Sequence, residues 1–367
     1  MQVARKQLDR TFLLLTATLV GVGFFIFSSA SLGLLARDGA QYSSVAFSQI
    51  FLGIFLGTIA MLIVSAIDYK ILRNYAPYIF LACCVLTLLV FAPYIGFEYG
   101  GARRWLHLGP LSFQPSELLK LGYVIYLAAW YAKIKTGVTE YKKGLIPFLG
   151  VTAIAGAIML AQPDTGTFLV MVAAGLAVFM GAGARFKDLA LIVIAGVLGI
   201  ALLALIRPYI MERILTFVNP SADPLGSSYQ IQQSLIAIGS GEMFGRGFGQ
   251  SIQKFSFLPE PIGDSIFAVA AEEFGFVGGV VLIALFIALG FRGFRIASRA
   301  PDLFGALLVL GITVLIVSQS MINIAAMLGL LPLTGVPLIF ISHGGSALFI
   351  ALVGVGIVLN VSRYSKT

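Results

Sequence analysis

The chain of 367 residues has a mean hydropathy of +0.98, with 59% hydrophobic and only 11% charged side chains, a balance that excludes a water-soluble globular domain. Its net charge of +8 comes without any aromatic-interleaved basic cluster, which argues against nucleic-acid binding. Two adjacent cysteines, Cys83 and Cys84, are poorly placed to bridge and too few for a metal cluster, so packing is their expected role.

A membrane-spanning helix takes about 20 mostly apolar residues to cross ~30 Å of hydrocarbon. Ten segments meet that criterion, near residues 11–36, 45–67, 76–97, 116–133, 145–162, 166–184, 188–206, 265–291, 303–331 and 337–361. The fold class expected is therefore an all-α polytopic membrane protein of about ten transmembrane helices, one integral membrane domain over 1–367. The first segment is too long for a signal-peptide core and is followed by nine others, so it reads as a retained helix.

With the N-terminus placed inside, sixteen of the 24 basic residues fall on the inner side: Arg5, Lys6, Arg10, Lys70, Arg73, Lys133, Lys135, Lys142, Lys143, Arg185, Lys187, Arg292, Arg295, Arg299, Arg363 and Lys366. Lys and Arg accumulate on the cytoplasmic side, so both termini are expected there. The outer loops then include 98–115 and the much longer 207–263, between the seventh and eighth spans. Ile210, Leu215, Phe217, Tyr229 and Ile231 give the longer loop enough apolar surface to pack or to sit in the interface. Within it, "SYQIQQSLIAIG" (228–239) spaces Ile231, Leu235 and Ile238 as a short amphipathic helix.

Three constellations gather polar residues on that outer side. In "RRWLHLGPLSFQPSELLKLGYV" (103–124), Pro115 suits a first helical turn and Glu117 the helix dipole. Lys120, on the same face, is either neutralised by Glu117 or aimed at an anion entering from outside. In "FLPEPIGDSIFAVAAEEFGF" (257–276), Asp264 is either an N-cap or a working carboxylate at a stiff, irregular helix entry. Counting from Asp264 at 100° per residue puts Glu272 roughly 80° round and Glu273 opposite, so Asp264 and Glu272 are expected to share a cavity and Glu273 is not. In "FISHGGSALF" (340–349), glycines and small polar side chains permit close helix contact, and His343 is either a proton carrier or simply hydrogen-bonded. Walker A, dinucleotide-glycine, zinc-helix and nucleophile-elbow motifs are all missing, and His107 and His343 alone make a histidine metal site improbable. A carboxylate general base is the simplest chemistry that remains.

The blocks "GARRWLHLGPLSFQPSELLKL", "AQPDTGT", "NPSADPLGSSYQIQQSLIAIGSGEMFGRGFGQSIQK", "FLPEPIGDSIFAVAAEE" and "PLTGVPLIFISHGGSA" resemble signature blocks of the SEDS family (shape, elongation, division and sporulation), in the family's order over about residues 100–350. "GQSIQK" and "NPSADP" resemble the division branch, FtsW, more than the elongation branch, RodA. The resemblance implies an inverting peptidoglycan glycosyltransferase that polymerises lipid II through β-1,4 linkages at the outer face of the bacterial cytoplasmic membrane. It implies Asp264 as general base with Glu272 in support, and motif positions at Arg103, Arg104, Trp105, Glu117, Lys120, Gln162, Asp164, Arg246, Ser342 and Ser346 for substrate. Arg246, Lys120 and Arg103 or Arg104 would steady the diphosphate, helped by Mg2+ or Mn2+ whose ligands the sequence does not name, and no organic cofactor is implied. Implied partners are lipid II and the growing lipid-linked glycan, a class B penicillin-binding protein, other division or elongation proteins and membrane lipids. "PIGD" and "SHGGS" stand where the family commonly has Ala-His-Thr-Asp and Ser-Tyr-Gly-Gly-Ser, which leaves the hydrogen bonding around Asp264, and so its pKa, to be settled. A lipid II flippase is the competing reading from composition and intramembrane charge.

Overall fold

The computed structural model describes residues 8–364, except 38, 94, 100–101, 109–110, 222 and 224–225. Arg5, Lys6 and Lys366, counted above toward the charge bias, lie outside the described residues, as does the side chain of His107. The chain runs α1 (Arg10–Arg37), α2 (Gly39–Phe47), a wide-turned π segment (Ser48–Leu56), α3 (Gly57–Ala66) and α4 (Lys70–Leu88). Three short strands follow, β1 (Gly96–Tyr99), β2 (Ala102–Leu108) and β3 (Leu111–Phe113), then α5 (Pro115–Ile134), α6 (Leu145–Ala161), α7 (Thr165–Gly181) and α8 (Phe186–Ile206). The chain closes with α9 (Pro208–Val218), α10 (Tyr229–Ser240), the single turn α11 (Gln253–Ser256), α12 (Ile266–Ser298), α13 (Leu303–Met327) and α14 (Gly345–Ser362).

The protein is a helical, multi-pass membrane protein. Among the described residues seven helical stretches are long and apolar enough to span a membrane, so the expected ten is not reached on that measure. α6 and α7 have 17 residues each, and α5 carries Glu117, Lys120 and Lys133 within its 20. α13 and α14 form the centre, with 67% and 83% of their apolar windows buried, whereas only 11% of the α8 window is buried and its Leu198, Leu202 and Leu205 face outward. In a bilayer such exposed apolar side chains face lipid. Cys83 and Cys84 are buried and unbridged, with Cys83 packed against Gly122, as packing residues should be.

The two outer segments are more ordered than their sequences suggested. Residues 96–113 make an antiparallel meander in the order β1–β2–β3. The 207–263 segment holds two helices of useful length. α10 forms where the Ile231 spacing predicted it, but it buries Ile231, Ser234 and Ala237 against α12 and leaves Leu235 exposed. α9, opened by Pro208 at its first turn, was not foreseen. The tenth predicted span begins late: residues 337–344 are irregular and the helix starts only at Gly345.

α12 is broken at Gly275 (φ 68, ψ −168), a conformation outside the range of ordinary L-residues. A side chain there would collide with Gly245 N, 2.3 Å from the position of a Cβ. The backbone groups released by the break are taken up by the 242–247 loop: Phe276 N–H donates to Glu242 O (2.8 Å) and Val277 N–H to Met243 O (3.1 Å). In return, Arg246 and Gly247 N–H donate to the carbonyls of Glu272 and Glu273 (3.0 Å each). Lys254, fully buried, seals the same region by pairing with Glu273 at 2.7 Å and donating to Ser29 Oγ (2.8 Å) and Gly249 O (2.9 Å). Removing one partner of such a pair strands a buried charge. Lys254→Met should therefore lower the unfolding free energy in mild detergent by about 3–5 kcal/mol, while Lys254→Met with Glu273→Leu should regain most of it; equal stability of all three proteins would show that the pair anchors nothing.

Candidate active site

At the end of the bundle where α5, α7 and α12 begin and α13 finishes, a cavity of about 440 Å³ opens. Asp264, Arg104, Arg213, Glu212, Gln230 and Asn323 supply its polar lining, with Tyr209, Thr334 and Gly335. A second open cavity, also about 440 Å³, shares Glu212, Thr216 and Ser227 and runs under α9 beside Pro208 and Leu215.

Asp264 lies two residues before α12, and the α12 N-cap residue is Ser265, without a side-chain cap bond, so the N-cap alternative for Asp264 is excluded. Its backbone carbonyl accepts from Asn323 Nδ2 (2.8 Å), and the carbonyl of Gly263 before it accepts from Ser342 Oγ (2.7 Å). The 334–337 segment is drawn to the same place, because Asn323 Nδ2 also donates to Val336 O (2.8 Å) and Arg213 Nη1 to Thr334 O (3.2 Å). Gly335 (φ +71) passes so close that a Cβ there would sit 3.5 Å from Asp264 Oδ2 and 3.7 Å from Arg213 Nη2. Glycine is favoured there by the backbone angle, since a Cβ would make only ordinary contacts with the two side chains. Arg104 is fixed from β2, donating to Gln162 O (3.1 Å) and, by a short bond, to Pro163 O. Next to it Asp164 caps α7, accepting from Thr167 N–H (3.2 Å), while its Oδ2 is buried without a partner.

Burial pushes the Asp264 carboxyl up to about 6, helped by the Glu260 charge and less by Asp164, while Arg213 and Arg104 hold it back. Burial and the neighbouring Arg104 lower the Arg213 guanidinium from its usual range, with Asp264 opposing. The carboxylate is thus partly desolvated yet ionised near neutral pH, the condition for a base.

The structure corrects several expectations. Glu272 does not line the Asp264 cavity. The phase count began at a residue outside the helix, and Glu272 faces the 251–253 turn, accepting from Ser251 Oγ (2.5 Å), Ile252 N–H (3.0 Å) and Gln253 N–H (3.4 Å). Glu273 does stand apart from that cavity, as expected, and carries the Lys254 ion pair. Lys120 is not aimed at an incoming anion: it is buried, 2.8 Å from Glu117, and donates to Gln319 Oε1, so the neutralising alternative holds. Arg246 lies in the 241–252 loop, 3.8 Å from Glu272 and remote from the cavity lining. Arg103 and Trp105 are on β2 but outside the lining, Gln162 spends its Nε2 on Thr87 O (2.9 Å), and Ser346 Oγ accepts from Gln114 N–H (3.3 Å). His343 packs its ring 6.3 Å from that of Phe27, and its Nε2 is buried without a hydrogen-bond partner among the described residues.

A family model described as a cell cycle protein, FtsW/RodA/SpoVE, matches residues 9–367. This chain belongs to the FtsW/RodA/SpoVE family. Stage V sporulation protein E of Bacillus subtilis is 41% identical over 361 residues, covering 98% of each chain. The probable peptidoglycan glycosyltransferase FtsW of Coxiella burnetii is 35% identical over 357 residues, covering 96% of each. A chain of a solved peptidoglycan synthase complex superposes with a TM-score of 0.79 at 29% identity, over 97% of this chain and 98% of that one. RodA of Thermus thermophilus does so with a TM-score of 0.70 at 29% identity, over 98% of both.

Within this FtsW/RodA/SpoVE framework, Asp264, Arg104 and Asp164 are the sequence candidates brought together, and Arg213, Glu212, Gln230 and Asn323 are the residues sequence reasoning missed. Arg213 had one available signal, as a basic residue on the side where the charge rule disfavours it. Because the Asp264 pKa is raised, folding favours its neutral acid: the stability it lends is present below its ordinary value near 4 and lost as pH climbs through about 6. The Asp264 carboxyl band, isolated by difference infrared spectroscopy against Asp264→Asn, should titrate at about 6 and higher in Arg213→Gln. A midpoint unmoved by Arg213→Gln would contradict the facing of these two groups.

Proposed function

We propose that this FtsW/RodA/SpoVE protein is a peptidoglycan glycosyltransferase that polymerises lipid II, with Asp264 as its general base. The observation that carries the assignment is a raised, half-buried carboxylate and two arginines in one cavity. The acceptor sugar hydroxyl loses its proton to Asp264 as its oxygen attacks the donor anomeric carbon. The new C–O bond forms with inversion, the bond to the lipid diphosphate breaks, and the diphosphate leaves with the bonding pair. Arg104 and Arg213 take the place of Arg246 and Lys120 as partners for that leaving charge. The adjoining cavity under α9, next to the lipid-facing α8, gives the polyprenyl chain a route out.

Asp264 and Glu212 already match the two arginines in charge, so the diphosphate brings negative charge that needs a further cation. Among the described residues no three Asp, Glu, His or Cys side chains gather as a metal site. Mg2+ or Mn2+, which takes one or two carboxylates plus phosphate oxygens, would be held by the unpartnered Oδ2 of Asp164 together with the diphosphate oxygens. When bound it would supply charge compensation to the diphosphate. Glu272 acts by holding the 251–253 turn, and Glu117, Lys120, Ser342 and Ser346 by bracing the helices around the cavity.

The charge bias supports a topology with both termini in the cytoplasm and the cavity at the outer face of the bacterial cytoplasmic membrane. A class B penicillin-binding protein is the proposed partner, in keeping with the resemblance to a chain of a complex that coordinates polymerization with crosslinking. The resemblance to FtsW and stage V sporulation protein E favours a role in division or sporulation over elongation. Purified protein with lipid II and its transpeptidase should make glycan polymer, and Asp264→Asn should reduce the rate at least ~10²-fold. The acid limb of kcat/KM should fall at about 6. Equal polymer from parent and variant would remove Asp264 from the mechanism, and lipid translocation without polymer would replace the enzyme with a flippase.

A further inference from the structure

Asn323 is 1% exposed, near the end of α13, and both hydrogens of its Nδ2 are committed. One goes to the carbonyl of Asp264 and the other to the carbonyl of Val336, each at 2.8 Å. These two acceptors belong to different irregular segments, one carrying the carboxylate and one reaching Arg213 through Thr334 O (3.2 Å). The amide orientation is fixed by its surroundings, since the flipped form would set Oδ1 against two carbonyl oxygens. One turn earlier on the same face, Gln319 repeats the device, donating from Nε2 to Pro337 O (3.0 Å). α13 is a buried, regular helix and so a rigid place from which to set two loops.

We propose that Asn323 is a positioning residue that fixes Asp264 relative to Arg213 by tying the 263–265 and 334–337 backbones to one side-chain amide. The inference rests on the glycosyltransferase reading for its catalytic meaning, but its geometric content stands apart from turnover. Without the two N–H donors, the carbonyls of Asp264 and Val336 lose their common partner, and the carboxylate and guanidinium that flank Gly335 are free to separate. The other charged groups acting on Asp264 are Arg104 from β2, Asp164 at the start of α7 and Glu260 on the approach to α12, and none of them is bonded to Asn323.

The test is a double-mutant cycle read by the infrared titration of Asp264, which needs no substrate. Arg213→Gln raises the midpoint in the parent; in Asn323→Leu, which keeps the bulk and removes both donors, the same substitution should raise it by less than half as much. Asn323→Ala, smaller, uncharged and also without donors, is the second variant and should behave alike. An Arg213→Gln shift of the same size in the parent and in both variant backgrounds overturns the proposal, because a residue serving only packing would leave that coupling intact. In the polymer assay, Asn323→Leu should lower kcat about tenfold with KM changed less than threefold; parental kcat would also overturn it. If the parent itself makes no polymer, the enzymatic reading fails, while the titration cycle still decides whether Asn323 sets this geometry.

Discussion

The structure depends on one constraint: backbone N–H and C=O groups released from regular helix inside a membrane must find partners within the protein, since hydrocarbon offers none. Three stretches leave regular helix at the same end of the bundle, namely the break of α12 at Gly275, the approach to α12 at 258–265, and the 334–344 segment before α14. Each is matched by another. The 242–247 loop pairs with the α12 break, Ser342 Oγ and His343 N–H reach the carbonyls of Gly263 and Ile262, and Asn323 joins Asp264 to Val336. The irregular backbone is therefore internally satisfied, and two of its stretches bring Asp264 and Gly335 to the cavity.

This explains why so many polar side chains in the sequence blocks serve the frame and not the substrate. Ser342, Ser346, Gln49 and Gln162 bond to backbone groups of neighbouring segments, and Gln319 to a backbone carbonyl and to Lys120. A catalytic carboxylate must be held within a fraction of an ångström of its working position, and a loop at the end of a membrane helix does not do this unaided. Here the loop is held through carbonyls, which leaves the Asp264 carboxylate to the cavity.

Much of the framework was legible in the sequence because it follows from hydropathy and spacing. The apolar segments, the α10 helix around Ile231 and the importance of Asp264 at an irregular helix entry all emerged from local pattern. The family resemblance added Arg104 and Asp164 to the site. The errors arose where geometry depends on a boundary or on a distant partner. Assigning Glu272 to the Asp264 cavity assumed a helix two residues longer than it is, and Lys120 could be placed only once Gln319, 199 residues away in the chain, was seen to accept its hydrogen bond. Arg213 and Asn323 belong to α9 and α13, and nothing local to either stretch says that both face Asp264.

The distribution of charge separates frame from site. Glu117 with Lys120 and Glu273 with Lys254 are buried, close pairs, each held further by a neighbouring side chain, Gln319 for Lys120 and Ser29 for Lys254. Paired in this way a charge can sit at membrane depth, but it is inert, since moving it would expose its partner. Around the cavity the arginines instead bond to neutral carbonyls, Arg104 to those of Gln162 and Pro163 and Arg213 to that of Thr334. A guanidinium has five N–H donors, so these contacts orient each arginine while leaving donors for an anion. The same chain thus uses ion pairs within its frame and carbonyl-held arginines, with donors to spare, around the cavity.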